Sequence, residues 1–257
     1  MSDERMPLTE HLSELRKRII TSIIAIGVGF LISFNYSEVI LGWLKTPLTT
    51  KYLISTTYPY IFYTNDPNPV ELIFLAPTEA FWMHLKISLI AGLFLALPVV
   101  FYQLWKFISP GLLSKEKHYA LPFVIIGTTF FVIGALFCFF VVLPFAMKFL
   151  LTYKTEHLKP MLSVGKYVDF CLKFILAFGL VFELPLVITF LSKLGLVTPQ
   201  FLAKHRKYAV LASFIVAALL TPTPDVFNQT LMAVPLIILY EVGIIAARLF
   251  GPRHEKD

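Results

Sequence analysis

The chain has little charge and carries no recognisable enzymatic or nucleotide-binding motif. Charged residues make up 15% of its 257 residues and hydrophobic residues 57%, and the mean hydropathy is +0.76. Its histidines form no HxxxH or HExxH pair for a metal, and neither a GxSxG motif nor a glycine-rich phosphate loop is present. Such a composition lies outside the range of soluble domains. We therefore expect a membrane protein that is not an enzyme and needs no metal or other cofactor.

Cysteine is equally scarce. Cys138 and Cys171 both fall in apolar stretches, near the predicted outer ends of two membrane spans. A disulfide between them is conceivable, but nothing in the sequence supports one. We interpret both as small buried hydrophobic residues.

The chain does contain six long apolar runs, which predict an all-α, polytopic membrane protein with a single membrane domain. A helix needs about 20 apolar residues to cross ~30 Å of hydrocarbon, and four of the runs are long enough. The last two, 208–220 and 231–247, are short, so we expect a locally thin bilayer unless Thr221, Asn228 and Gln229 extend these helices. Prolines within the runs predict kinks that curve the bundle. The expected spans are about 19–36, 77–105, 119–147, 166–191, 208–221 and 229–247.

The connections between the apolar runs are alternately rich and poor in lysine and arginine. Residues 1–18, 106–118, 192–207 and 248–257 hold 14 of the 22 basic residues, and the other three connections hold 6. The positive-inside rule therefore predicts cytoplasmic N and C termini. The net charge of +6 does not indicate nucleic-acid binding, because anionic lipid and insertion topology explain these clusters. The first run lacks a signal-cleavage pattern and no transit segment precedes it, which favours a prokaryotic plasma membrane.

Two acids lie where a charge is costly. Glu183 lies in the middle of the fourth run, and Pro185 next to it removes an amide donor and leaves the helix open to water or a ligand. Glu241 lies in the last run and is either a functional acid or a side chain that reaches the interface near Arg248.

Two further acids stand among basic residues at the predicted cytoplasmic face. Glu116 lies between two lysines, and Glu14 lies four residues before Arg18. A local ion pair explains each of them singly, because the spacing from Glu14 to Arg18 is that of neighbours on a helix. Taken together, on different spans, they indicate a receptor for a doubly cationic ligand.

Seven short stretches, in order over residues 8 to 250, carry a family resemblance. They are HLSELRKR (11–18), APTEAF (76–81), PVVFYQLWKF (98–107), SPGL (109–112), EK (116–117), FELP (182–185) and LTPTPD (220–225). The chain closely resembles the TatC family, the multispanning receptor subunit of the twin-arginine, Sec-independent protein translocase.

The resemblance implies a receptor for the twin-arginine signal peptides of folded precursors. With TatA- and TatB-type single-span subunits and further copies of itself, such a protein exports these precursors using the proton motive force. Glu14, Glu116, Arg16 and Phe107 match signal-binding positions, and Trp105 would add apolar surface. A carboxylate accepts the planar fork of arginine bidentately, whereas lysine is a point charge, which explains a preference for paired arginine.

Other residues match family positions away from that face. Glu183 and Gln229 would face a concave wall against lipid, and Thr221 and Gln229 would offer hydrogen bonds to TatA and TatB. Pro47 and Asp225 match positions in the outer loops. The long aromatic outer loop 52–74, the doubled Thr-Pro before Asp225 and Asn228 in place of a common serine depart from the family pattern.

One alternative remains, a secondary transporter coupled to protons through Glu183. Transporters of that class are commonly built from inverted repeats with paired broken helices. No internal repeat is visible in this sequence, which favours the receptor.

Overall fold

The computed structural model describes residues 8–54, 61–65, 70–108, 120–153, 160–223 and 225–250, with side chains from residue 12 and none over 50–69. The helices are α1 (Leu8–Phe34), α2 (Ser37–Leu44), α3 (Thr46–Thr49), α4 (Glu79–Ile108), α5 (Ala120–Phe137), α6 (Leu143–Thr152), α7 (Val164–Phe182), α8 (Leu184–Lys193), α9 (Pro199–Lys204), α10 (Arg206–Leu220) and α11 (Val226–Phe250). The short strands are β1 (Thr50–Ile54), β2 (Ile61–Asn65), β3 (Leu72–Ile73) and β4 (Leu162–Ser163). β1 pairs antiparallel with β2, and β3 pairs parallel with β4.

The predicted all-α membrane fold is confirmed. Five helical stretches within the described part of the chain are long and apolar enough to cross a membrane. They are Leu12–Phe34, Glu79–Ile108, Ala120–Thr152, Val164–Lys193 and Val226–Phe250. Many large apolar side chains on their outer faces are exposed, as expected of surfaces that meet lipid.

The two short apolar runs turn out differently from each other. α10 has 15 residues, about 22 Å of helix, so this predicted span falls short of the hydrocarbon thickness and the count of six spans stays a prediction. α11 has 25 residues, about 37 Å, so the expectation of a short last span is wrong. The reason is that Asn228 and Gln229, which interrupt the apolar pattern, lie inside the helix and donate to Asp225 just before it and to Phe214 of α10.

A π-helical bulge and a break interrupt the long helices. A π-helical segment, Cys138–Val142, joins α5 to α6. α7 ends at Phe182 and α8 begins at Leu184, with Pro185 in its first turn. Because proline lacks an amide donor, one hydrogen bond of the helix is missing at this point. Pro98 and Pro235 lie inside α4 and α11.

α1 and α4 pack closely against each other in opposite directions. At their crossing, a Cβ on Gly29 would lie 2.5 Å from the carbonyl oxygen of Gly92, and one on Gly92 would lie 2.4 Å from the amide nitrogen of Phe30. Only glycine permits backbones to approach this closely. The crossing sets the start of α1 beside the end of α4, where Arg18 contacts Gln103.

We call the end of the bundle that holds the start of α1 the basic end. Trp105, near the end of α4, packs on Phe123 of α5 and Phe190 of α8, with ring centroids 4.8 and 6.0 Å apart. α8 lies against α11, where Ile188 contacts Gly243. The basic end therefore gathers the start of α1 and α5 with the last turns of α4, α8 and α11.

Polar contacts tie together the opposite end, which is predicted to face outward. The Glu79 carboxylate accepts hydrogen bonds from the Ser163 hydroxyl and from the amide of Gly165 (2.8 Å). Lys86 pairs with Asp169 at 2.7 Å. These contacts join the start of α4 to the start of α7.

The core lies between α4, α5, α7 and α11. Phe174, Phe178 and Met232 are fully buried within it. Cys138 and Cys171 are buried free thiols, so their interpretation as small hydrophobic residues is confirmed.

Candidate functional site

Glu14 and Arg18 form an ion pair at the basic end. The Arg18 Nη2 donates to Glu14 Oε1 at 2.7 Å, across one turn of α1. Arg18 Nη1 also donates to Gln103 Oε1 of α4 in a long hydrogen bond of 3.4 Å. Its Nε is buried and finds no acceptor among the described residues. The local ion pair that the spacing suggested therefore exists, and it is tied to a second helix.

The other basic residues of this turn lie on a different face of α1. Arg16 follows Glu14 by two positions, which is about 200° around the helix. It is exposed and lines a shallow groove beside Leu12, Lys17 and Ile20. Arg16 thus lies at the basic end but not beside Glu14. Glu116, the second predicted signal-binding carboxylate, lies outside the described residues.

The two aromatic residues near the end of α4 differ in burial. Trp105 is only 5% exposed, because Phe123 and Phe190 cover its ring. The expectation that it supplies surface beside the site is therefore wrong, and its ring belongs to the packing of the basic end. Phe107, two residues later, is half-buried.

Glu183 occupies the break between α7 and α8. It is 8% exposed, and its Oε1 is buried with no hydrogen-bond partner among the residues described. Its backbone remains paired, since its amide donates to Leu180 O and its carbonyl accepts from Val187 N. An unpartnered buried carboxyl oxygen is costly, so this position is polar in a place where packing alone would favour an apolar residue.

Gln229 and Thr221 lie where α10 meets α11. The Gln229 Nε2 donates to the carbonyl of Phe214 at 3.0 Å, which joins the two helices. The Thr221 hydroxyl donates to Ala217 O at 2.8 Å and ends α10. Each side chain thus donates one hydrogen bond within the chain, and its oxygen can accept one from a partner.

Asp225 caps the start of α11. Its carboxylate accepts the Asn228 amide at 2.7 Å and the Asn228 Nδ2 at 2.9 Å. Partial burial raises the pKa of Asp225, but hydrogen bonds from Asn228 and Thr223 outweigh it and hold this pKa below its usual value. Asn228, at the position where a serine is common in the family, is fully buried: its Nδ2 donates to this cap, and its Oδ1 has no partner among the described residues.

Glu241 finds a partner that its sequence position did not indicate. Its Oε1 accepts from Arg206 Nε at 2.6 Å and its Oε2 from Arg206 Nη2 at 2.9 Å. The guanidinium lies on α10, 35 positions away along the chain. Of the two interpretations left open, the interfacial one fits, with Arg206 in place of Arg248.

Pro47 is buried in the short helix α3. Leu48 beside it enters the core, and the nearby Leu44 carbonyl accepts a hydrogen bond from the Tyr167 hydroxyl at 2.5 Å. This predicted outer-loop residue therefore belongs to the packed part of the opposite end.

Gln103 is the functional candidate that the sequence did not single out. It is 9% exposed and lies within the PVVFYQLWKF stretch. Its polarity among apolar neighbours in the last turns of a span was the available signal. The described residues contain no group of three or more His, Cys, Asp or Glu side chains that could hold a metal.

The fold and these contacts define a polytopic membrane protein with a carboxylate, an arginine and an amide joined between its first two long helices. A family model for TatC, the Sec-independent protein translocase protein, matches residues 10–235. The TatC protein of Desulforapulum autotrophicum is 45% identical over 255 residues, which covers 99% of this chain and 89% of that protein. The TatC protein of Aquifex aeolicus is 44% identical over 254 residues and covers 98% of both.

A crystal structure of the twin-arginine translocase receptor TatC superposes with a TM-score of 0.76 at 41% identity, over 93% of this chain and 98% of that one. The chain belongs to the TatC family. It is therefore a membrane component of a protein translocase and not an enzyme, and the transporter interpretation of Glu183 is not favoured.

Proposed function

We propose that this protein is the receptor subunit that binds the twin-arginine signal peptides of folded precursors at the basic end. One observation carries the proposal in addition to the family. The Glu14 carboxylate is partly exposed and already holds a guanidinium, at 2.7 Å. A site that accepts arginine from within the chain has the charge and the geometry to accept it from a peptide.

The second arginine of the signal would bind Glu116, as the family resemblance implies. Arg16 would orient the first helix, and Phe107 would meet the apolar part of the signal. The basic end would then face the cytoplasm of a prokaryotic plasma membrane, as the distribution of lysine and arginine predicts. Precursors would cross with the help of the proton motive force.

TatA- and TatB-type subunits would bind along α10 and α11. Support comes from Gln229, whose amide donates inside the chain and whose oxygen accepts no hydrogen bond from the described residues. A donor on a partner's membrane helix would find this oxygen and that of Thr221. Such bonds contribute only about 0.6–2 kcal/mol in membranes, which suits subunits that assemble and disperse.

Binding of labelled signal peptides to the purified protein in nanodiscs tests the receptor function. We expect a peptide with Arg-Arg to bind at least about tenfold more tightly than the same peptide with Lys-Lys, because lysine lacks the planar fork. Glu14→Gln and Glu116→Gln should each remove most of the binding. Glu241→Gln is the matched control, since it neutralises another arginine-paired glutamate at the same end. Equal binding of both peptides, or a control as harmful as Glu14→Gln, would refute the proposal.

A further inference from the structure

On the basis of the proposed receptor function, we propose that Arg18 occupies Glu14 in the free receptor as an internal substitute for a signal arginine. The signal peptide then binds by exchange, because its guanidinium displaces that of Arg18 from the carboxylate. The free receptor is therefore partly self-inhibited, and Gln103 provides the place to which Arg18 moves.

The contact between Arg18 and Glu14 has the geometry of a pair that can be exchanged. A single N–H of Arg18 reaches a single oxygen of Glu14. Pairs at this helical spacing are weak. An arginine from outside the helix can approach so that two of its N–H groups donate to the two carboxylate oxygens. The incoming guanidinium can therefore form more hydrogen bonds to the same carboxylate than the resident one does.

Access to the pair is open enough for exchange. The side chains of Arg18 and Glu14 are 21% and 19% exposed, so neither is sealed in the core. Complete burial would make removal of one partner costly, since the remaining charge would be left unpaired. Here water and the incoming peptide can reach the carboxylate while the resident arginine leaves.

Arg18 has an alternative hydrogen-bond acceptor when it leaves Glu14. Its Nη1 already lies 3.4 Å from Gln103 Oε1, a long hydrogen bond that a small movement would shorten. Its buried Nε lacks an acceptor among the described residues in the paired state. The paired state thus leaves the guanidinium incompletely hydrogen-bonded, and a shift toward α4 would strengthen its bond to Gln103.

The exchange sets a measurable limit on affinity. When only a fraction of receptors has a free Glu14, the apparent association constant of every ligand is its intrinsic value multiplied by that fraction. Removing Arg18 should therefore tighten binding of Arg-Arg and Lys-Lys peptides by the same factor. The preference for arginine itself should not change, because it arises at the carboxylate and not from Arg18.

The experiment compares Arg18→Met with the matched control Lys17→Met. Both remove one positive charge from adjacent residues of α1, but Lys17 makes no ion pair within the described chain. Dissociation constants for the Arg-Arg and Lys-Lys signal peptides are measured in nanodiscs, for both variants and in a Glu14→Gln background. Arg18→Lys is added because it keeps the charge and the fold but lacks the fork.

We expect Arg18→Met to tighten binding of both peptides about three- to tenfold with an unchanged ratio, and Lys17→Met to change it less than about twofold. Arg18→Lys should give a smaller gain. In the Glu14→Gln background, Arg18→Met should have no effect, because the carboxylate it competes for is gone.

Weaker binding by Arg18→Met and Arg18→Lys would overturn the exchange and make Arg18 a support for Glu14. Equal gains from Arg18→Met and Lys17→Met would overturn it in favour of net charge alone. These failures leave the receptor function intact as long as the unaltered protein prefers Arg-Arg and loses binding with Glu14→Gln. Absence of that preference would instead overturn the receptor function, and the exchange with it.

Discussion

Two arginine–glutamate pairs lie at the basic end and differ in geometry. Arg206 and Glu241 join α10 to α11 through two parallel hydrogen bonds of 2.6 and 2.9 Å. Arg18 and Glu14 lie on one helix and share a single contact of 2.7 Å. The first pair joins two consecutive helices through residues 35 positions apart, and the second holds a carboxylate that the proposed function needs to release. The same two residue types thus form a fixed contact between helices at Arg206 and Glu241 and an exchangeable contact at Arg18 and Glu14.

The largest effect should come from disturbing the helix crossing that supports the exchangeable pair. Gly29→Val places side-chain atoms against the backbone of Gly92, where even a Cβ would be 2.5 Å away. We expect a loss of about 2–3 kcal/mol in the free energy of unfolding, as overpacking usually costs. Gly27→Val is the matched control on the same helix, because nothing lies within 4 Å of its Cβ.

Thermal unfolding in detergent measures this difference. Since the crossing brings Arg18 to Gln103, Gly29→Val should also alter binding of the signal peptide, and Gly27→Val should not. If both variants unfold at the same temperature, the close approach of α1 and α4 is wrong.

A smaller effect is expected at the opposite end, where the Asp225 carboxylate caps a helix. Asp225→Ala removes the cap of α11 and should lower stability by about 1 kcal/mol. Asp225→Asn keeps one acceptor oxygen for the backbone amide of Asn228 but loses the one that Asn228 Nδ2 uses, so it should cost less than Asp225→Ala. This comparison separates a carboxylate that caps a helix from one that receives a ligand.

The pH dependence of the same cap has a definite sign. The folded-state pKa of Asp225 is lowered, so its charge contributes stability that is complete above the unfolded pKa of about 3.9. This contribution is lost as the pH falls through the lower folded-state pKa. Melting temperatures measured between about pH 6 and 2 should therefore fall less steeply for Asp225→Asn, and identical curves would contradict the cap.

The smallest effect should distinguish the two arginine–glutamate pairs directly. Glu241→Gln should cost only about 0.5–1 kcal/mol, because the pair with Arg206 is partly exposed. Exchanging the two residues, Arg206→Glu with Glu241→Arg, should recover most of the stability and all of the export. The same exchange of Glu14 with Arg18 should restore the ion pair but not signal binding, because the carboxylate would move by one turn.

This prediction is checked by unfolding of both double variants and of the single variants Arg206→Glu, Glu241→Arg, Glu14→Arg and Arg18→Glu, with export of a folded twin-arginine reporter as the second measurement. Full export by the exchanged Glu14–Arg18 variant would show that both pairs are merely structural.

Local signals predicted much of this structure. The apolar runs gave the helices because a backbone in lipid has to satisfy its own hydrogen bonds, and the spacing of Glu14 and Arg18 gave their contact. The length of α11 was predicted wrongly because Asn228 and Gln229 looked like the end of a span, whereas their side-chain amides donate to the Asp225 carboxylate and to the carbonyl of Phe214, which allows both residues to lie inside the helix.

Contacts between distant parts of the chain were not predictable in this way. Glu241 meets Arg206, Glu79 meets Ser163 and Arg18 meets Gln103, across separations of 35, 84 and 85 residues. The sequence contains each charge or amide, but no periodicity connects them. The glycine pair at the crossing of α1 and α4 is a comparable case, since neither glycine indicates the other.

By itself, the sequence determined that this protein lies in a membrane, that it is helical, and to which family it belongs, because hydrophobic length, the placement of basic residues and local motifs are properties of neighbouring residues. Only the tertiary structure decided which arginine pairs with which glutamate and whether one or two hydrogen bonds join them. Those outcomes depend on how helices cross, and the crossing is set by packing between segments that the chain order keeps far apart.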